Sequence, residues 1–443
     1  MDSKNVIAAI ALSSAVIVLY SLFFIPEQPA KNINVSEKKI IEKNSDTPSL
    51  DQEENLVEIS REESLKQNQR VKFENKSIVG SISLKGASID DLTFKEYNTD
   101  LVNNEKVVLL SPRNIEEGYL VESGFVTPDK NIEVPNAETL WSIEGSKELN
   151  AQTPIQLFWT NNQGMTFVKE IKLDDKFLFS INQKIINPTN KKYDFYSYGQ
   201  IIRNSIPEIS NFYILHEGLI ATLDDELIEE DYDDIQENKF TKIAKKGWLG
   251  VGDKYWITSL IPPKNKEFKT TFDYKKKFRA NFISTQPLEL NGNSNIEEEI
   301  KIIVAAKRVD VIDGYADSLK IDKFDLVIDW GFLYFITKPL FFGIDYFFNL
   351  LGNYGLAIIA ITICIRLAFF PLANFSFRSM AKMKALQPEM IRLKELHKDD
   401  KMKLQQAMMA LYKKEKVNPM SGCLPILLQI PVFFALYKVL FVT

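Results

Sequence analysis

Cysteine and histidine are almost missing from this chain of 443 residues, which holds two of each. Cys364 and Cys423 both fall in apolar segments, so the polar middle carries no disulfide, whatever compartment it occupies. His216 and His397 are too few for a histidine-rich metal site, and none is expected. No phosphate-cradling glycine loop occurs either, so neither nucleotide binding nor any other cofactor is expected. The averages resemble those of a soluble protein: 45% hydrophobic, 26% charged, net charge -5, mean hydropathy -0.13. They conceal the distribution, because the apolar residues are bunched at the two ends around a long polar middle.

Residues 6–25 (VIAAIALSSAVIVLYSLFFI) form an unbroken apolar run, long enough to span a bilayer as a helix. A cleavable signal peptide would have a shorter apolar core and an A-x-A-like site, and neither is visible, so an uncleaved anchor is expected. Residues 27 to about 60 are rich in Lys, Glu, Asn, Ser and Pro and too poor in apolar surface to order themselves, which reads as a flexible tether. From about 65 to 315, short β-branched or alternating runs recur between Gly, Asn, Asp and Pro: 77–84, 106–110, 155–160, 167–173, 177–186 and 299–304. That spacing predicts a large antiparallel β-sandwich. The aromatic segment 323–338 (KFDLVIDWGFLYFITK) suits a helix lying at a membrane interface, or else one packed on the β domain. Residues 351–372 and 423–442 each have the length and composition of a further span, and 340–350 is an entry helix or part of the second span.

Between those spans, residues 375–419 hold eleven Lys or Arg against five acids, which places this loop in the cytoplasm and the β domain outside. Met383, Leu386, Met390 and Leu393 recur at helical spacing, as do Leu404, Met408 and Leu411. Two such stripes predict an antiparallel helical pair turning at His397–Asp400, with an Asp capping the second helix and Pro388 kinking the first.

Arg366 lies inside a span, where a charge costs roughly 2.5–3.5 kcal/mol on insertion scales. Either its long side chain snorkels to the interface, or a wet cavity receives it. Gly355, Ile359, Thr362 and Arg366 share one helix face, small or polar near the arginine. Gln429 lies mid-span between Pro425 and Pro431; a hydrogen bond to a neighbouring helix is the simpler account of it. Tyr437, on nearly the same face, fits an interface anchor.

Longer strings are more specific. Residues 379–388 (SMAKMKALQP), 408–419 (MMALYKKEKVNP) and 422–440 (GCLPILLQIPVFFALYKVL) resemble the YidC family of membrane protein insertases. So do Lys338–Phe341, the segment from Arg366 to Leu372, and in the β region 80–92, His216-Glu217-Gly218 and 247–262. The resemblance implies a multi-domain membrane protein, with α-helical transmembrane segments and a periplasmic all-β supersandwich of the mutarotase-like kind. The expected organisation is an anchor (1–26), a tether (27–62), the periplasmic domain (63–318), an interfacial helix and entry (319–350), a span (351–373), a basic cytoplasmic hairpin (374–420) and a span (421–443). It further implies a non-enzymatic insertase and chaperone of the inner membrane, working alone or with the Sec translocon on nascent membrane proteins, among them possible lipoproteins. Arg366, Thr362 and Gln429 would belong to its hydrophilic groove, and Ile430, Phe433, Phe434 and Tyr437 to a lipid-facing slide. Lys382, Lys384, Arg392, Lys413 and Lys414 would meet ribosomes and clients; membrane lipids are partners too, and no nucleic acid is expected beyond ribosome contact. Family members continue past the position of Thr443 with more spans, so a fragment of a longer protein is the expectation.

Two rival classes remain. A tethered periplasmic carbohydrate-binding or carbohydrate-converting protein shares the sandwich, but mutarotase-like chemistry uses paired histidines and this domain has only His216. A structural adaptor would use its spans as anchors alone and would be indifferent to Arg366.

Overall fold

The computed structural model describes residues 59–100, 104–207, 215–398, 400–415, 417 and 424–442. The expected first span, nearly all of the tether, and Cys423 lie outside the described residues.

Two stacked sheets form the β domain. Along the path of the eleven-stranded sheet run Phe240–Ala244, Phe268–Tyr274, Phe278–Ser284, Tyr193–Arg203, Tyr119–Val126, Ile89–Asn98, Ile78–Ser83, Arg70–Glu74 and Glu148–Leu149, with Leu288–Leu290 and Lys106–Leu110 paired at its side. The nine-stranded sheet runs Glu226–Asp231, Gly218–Leu223, Gly247–Gly252, Trp256–Ile261, Ser294–Ala306, Leu178–Asn187, Thr166–Leu173, Ile155–Thr160 and Ser142–Glu144. All described pairings are antiparallel except the short contact of Arg70–Glu74 with Glu148–Leu149.

Alternation explains the register. In Leu178–Asn187, Phe179, Ile181, Gln183, Ile185 and Asn187 are buried on the inward face, and the residues alternating with them are half-buried or exposed. Tyr193–Arg203, covered on both faces, is buried almost throughout. Gly247 has φ +135°, and a Cβ there would stand 1.9 Å from the Thr222 carbonyl oxygen, so only glycine permits this strand start.

Eight helices are described: α1 (Arg61–Gln67), α2 (Tyr232–Glu237), α3 (Val309–Leu319), α4 (Tyr334–Leu351), α5 (Tyr354–Ala385), α6 (Gln387–Leu396), α7 (Lys401–Lys414) and α8 (Leu424–Val442). The helix expected over 323–338 is not formed as such. Phe324–Val327 make a 3₁₀ turn, the chain breaks at Gly331 (φ +70°), and helix begins only at Tyr334. Phe324, Val327, Ile328 and Trp330 are buried in the β-domain core, and that burial outweighs the segment's helical pattern.

Gly352 ends α4 in the left-handed region, and the Asn353 side chain accepts from Leu356 N at 3.1 Å to start α5. At 32 residues, α5 is about 48 Å long, well beyond a hydrocarbon core. The span expected over 351–373 therefore runs unbroken into the basic region. Pro388 sits in the first turn of α6, where its missing donor is harmless, so the expected kink is a break at Leu386. Asp400 caps α7, accepting from Lys403 N at 3.0 Å. The residues of the two predicted stripes are half-buried, Leu411 fully so, with Met383 at the end of α5 and the rest at or beyond the break, and Tyr412 Oη reaches Met390 Sδ at 3.9 Å.

Ile344 of α4, Ala357 of α5 and Val439 of α8 form a buried node joining the three helices. Among the described residues, α5 and 425–442 are the helices long and apolar enough to cross a membrane.

Candidate functional site

Arg366 is exposed near the middle of α5, with its guanidinium 5.6 Å from the Phe433 ring of α8, within cation–π range. No carboxylate pairs with it among the described residues. Gly355 and Ile359 are exposed on the same face, and Thr362 is half-buried, its hydroxyl donating to Ile358 O at 2.7 Å. The side of α5 that packs is instead the one holding Ala357 and Ile361, against α4.

On α8, Ile430, Phe433, Phe434 and Tyr437 form one exposed apolar stripe, while Ala435, Lys438, Val439 and Val442 form the buried one. Gln429 is half-buried, and its amide nitrogen is buried with no hydrogen-bond partner among the described residues. An unmade bond of this kind costs roughly 1–3 kcal/mol unless water or a visiting polar group supplies the acceptor. Geometry thus unites Arg366 with the Phe433 stripe; Thr362 follows on its own helix, one turn before Arg366. Lys382 and Lys384 are exposed in the last turns of α5, Arg392 is exposed on α6, and Lys413 and Lys414 are exposed at the end of α7.

Two functional candidates were missed by sequence reasoning. Lys438, on the buried stripe of α8, is 4% exposed, and its ammonium donates to Asp329 Oδ2 at 2.7 Å. The signal was present: a lone lysine inside an apolar span needs a partner. Asp329 gave none, because its role depends on where the chain folds. Its carboxylate also accepts from His216 N at 3.1 Å and Gly331 N at 3.0 Å. Glu217 accepts from Lys254 N at 3.0 Å, and the Lys254 ammonium lies 4.6 Å from the Phe441 ring. The strings His216–Gly218 and 247–262, which carried part of the resemblance, therefore converge where the β domain meets α8. Nearby, burial pushes Lys307 below the usual ammonium range, against the opposing pull of Asp253, Asp329, Glu217 and Glu229.

At the head of α4, Lys338 pairs with Asp313 (3.2 Å) and Asp325 (2.9 Å), and Tyr334 Oη donates to Asp325 at 2.6 Å. Burial opposes the Asp325 charge, yet these donors hold its carboxyl below the usual range.

On the β domain itself, a cleft of about 790 Å³ is lined by Arg70, Lys85, Asp90 and Glu138 among others. Arg70 pairs with Asp90 and Lys85 with Glu138 across it, while Arg113, also in the lining, pairs with Glu122. The single histidine of the domain is not there: His216 bonds Asp231 and the Leu219 carbonyl instead. No paired-histidine centre for sugar chemistry exists among the described residues.

A large β-sandwich joined to apolar helices and a basic helical hairpin defines a membrane protein with an extramembrane domain. The chain belongs to the YidC family of membrane protein insertases. The YidC periplasmic domain model matches residues 70–342, and that of the 60Kd inner membrane protein matches 346–443. The membrane protein insertase YidC of Pelagibacter ubique (strain HTCC1062) is 70% identical over 443 residues, covering 100% of this chain and 79% of the relative. That of Rickettsia rickettsii (strain Iowa) is 42% identical, covering 99% and 79%. Among solved structures, an active YidC insertase overlays with 15% identity and TM-score 0.28 over 85% of this chain and 72% of the other. A galactose mutarotase related enzyme from Lactobacillus acidophilus overlays at 11% identity and TM-score 0.39, covering 54% and 97%. At such scores the assignment rests on the sequence matches. Function follows the family: non-enzymatic membrane protein insertion, at the inner membrane.

Proposed function

We propose that this insertase receives the hydrophilic tail of a nascent membrane protein beside Arg366 while the client's apolar segment leaves along the exposed stripe of α8. The observation that carries this reading is the contact of Arg366 with Phe433, which puts a positive charge, paired with no carboxylate among the described residues, at the border of an apolar slide. A tail carrying acids is drawn to that charge, in surroundings where attraction is less screened than in bulk water. The apolar segment gains roughly 25 cal/mol for each Å² removed from water, which supplies the driving force without nucleotide hydrolysis. Thr362 and Gln429 offer hydrogen bonds along the same route.

In this reading the chain crosses the membrane several times, with the N-terminus and the α6–α7 hairpin in the cytoplasm and the β domain in the periplasm. The net charge of +6 on 375–419 supports that orientation. Lys382, Lys384, Arg392, Lys413 and Lys414 face the ribosome and emerging clients, α4 lies at the interface with Phe335, Phe342 and Tyr346 toward lipid, and the Sec translocon hands over larger clients.

The test is insertion into proteoliposomes by the native protein, comparing a client with an acidic tail and one with an uncharged tail. Arg366→Ala is expected to lower insertion of the acidic client by at least about tenfold, with Arg366→Lys retaining most of it and the uncharged client affected less. Equal loss for both clients would rule out attraction by charge, and no loss for either would leave α5 as a plain anchor.

A further inference from the structure

We infer that Asp329 and Lys438 form a part-buried latch that locks the outer end of α8 onto the β domain and so positions the Phe433 stripe against Arg366. The inference deepens the groove reading above and rests on it for its functional consequence.

Asp329 belongs rigidly to the β domain. Its neighbours Ile328 and Trp330 are 1% and 2% exposed in the main core, and its carboxylate is held by the backbone of His216 and Gly331. Lys438 belongs to α8 and donates to the same Oδ2 that accepts from His216. Gly331 makes room for the lysine stem: a Cβ there would stand 3.4 Å from Lys438 Cε. Three further contacts seat the same end of the helix. Val442 enters the β-domain core, Phe441 lies under the Lys254 ammonium, and Phe434 packs on Phe332 with ring centroids 5.7 Å apart.

An ion pair of this kind fixes more than position along the helix. Lys438 and Phe434 are four residues apart on one face, so anchoring both sets the rotation of α8. Phe433 and Tyr437 follow from that rotation, one residue round from the anchored pair. The mainly apolar contacts would tolerate sliding or turning, whereas a buried charge tolerates only its partner. Lys438 and Asp329 are therefore positioning residues, with no client contact of their own.

The experiment uses the full-length native protein with Cys364→Ser and Cys423→Ser, and a reporter pair Phe332→Cys and Phe434→Cys for disulfide cross-linking in membranes. On this background Lys438→Met, Asp329→Asn, Lys438→Arg and the exchange Asp329→Lys with Lys438→Asp are compared. Cross-link yield is measured on this background, and insertion of acidic-tailed and uncharged-tailed clients is measured in the same latch variants with Phe332 and Phe434 intact, with thermal unfolding of the β domain as a folding control. The expected result is a fall of about fivefold or more in cross-linking and in insertion of both clients for Lys438→Met and Asp329→Asn, at unchanged β-domain melting. Lys438→Arg is expected to restore both. The exchanged pair tests the ionic character: partial recovery over Asp329→Lys alone and Lys438→Asp alone, prepared beside it, supports an ionic latch, and no recovery overturns it. Unchanged cross-linking in Lys438→Met overturns the latch, and lost cross-linking with normal insertion overturns its positioning role. Failure of the groove reading looks different: Arg366→Ala would then spare both clients while the latch variants still lost cross-linking and insertion.

Discussion

A buried lysine without a full counter-charge is a titration probe of the β domain. Lys169 is 3% exposed, with its ammonium donating to Ser123 O at 2.6 Å and lying 5.1 Å from the Trp141 ring. Burial pushes it from its ordinary 10.5 down to about 8, with Glu122 opposing. Between those two values the unfolded chain holds a proton that the folded chain has lost, so stability rises with pH across the window. Below about 8 the folded state carries the whole penalty of a buried charge. Lys169→Met is expected to remove this slope, roughly 3 kcal/mol between pH 8 and 10.5. Denaturant unfolding of wild type and variant, followed by tryptophan fluorescence across that window, measures it; parallel pH profiles would mean that Lys169 does not titrate there. Gly331 offers a second residue-scale test. Gly331→Ala combines a left-handed backbone (φ +70°) with close approach to Lys438, and should destabilise by about 1–2 kcal/mol. Thermal unfolding reads it, and a gain in stability would contradict the strained geometry.

Among the elements, the hairpin was the most readable from sequence. Both of its stripes, its turn and its cap were visible in spacing alone, because an isolated helical pair is governed by local periodicity. Asp400→Ala should cost about 1 kcal/mol by leaving the Lys403 N–H unmet, and should speed proteolysis of 400–415 in membranes. Unaltered protease sensitivity would show that the hairpin is held by other contacts. The segment 323–338 was the least readable. Its aromatic pattern suits an amphipathic helix, yet Ile328 and Trp330 gain more from the β-domain core than a helical turn would give them. Propensity decided the start of α4 only after that burial was satisfied, with Lys338, at the start of its second turn, tying the helix to Asp313 and Asp325. The length of α5 was also hidden, since neither Pro371 nor the change from apolar to basic residues stops a helix whose backbone bonds continue.

At the scale of the whole molecule, the β domain carries its own core. Apart from Val442, the main buried cluster is drawn from residues 71–330. A chain of residues 59–330 is therefore expected to fold without membrane, with strand-type circular dichroism and one cooperative transition. Aggregation in place of a transition would indicate that α4 and α8 are needed to complete it. What the membrane helices take from the domain is orientation: the C-terminal half of α8 rests on Asp329, Lys254 and Phe332, all held by the sandwich or the segment leaving it.

Local and compositional rules were enough for the class of the protein. Unbroken apolar runs, β-branched strands at regular spacing and a basic loop between two spans each act through neighbours in sequence, so they can be read without a fold. Arg366 also declared itself, since a charge in an apolar helix is costly wherever the helix goes. Only tertiary structure decided that Arg366 meets Phe433 and that Lys438 meets Asp329, more than a hundred residues away. Partners of buried charges are set by packing across the chain, and no periodicity records which distant carboxylate will be brought within reach.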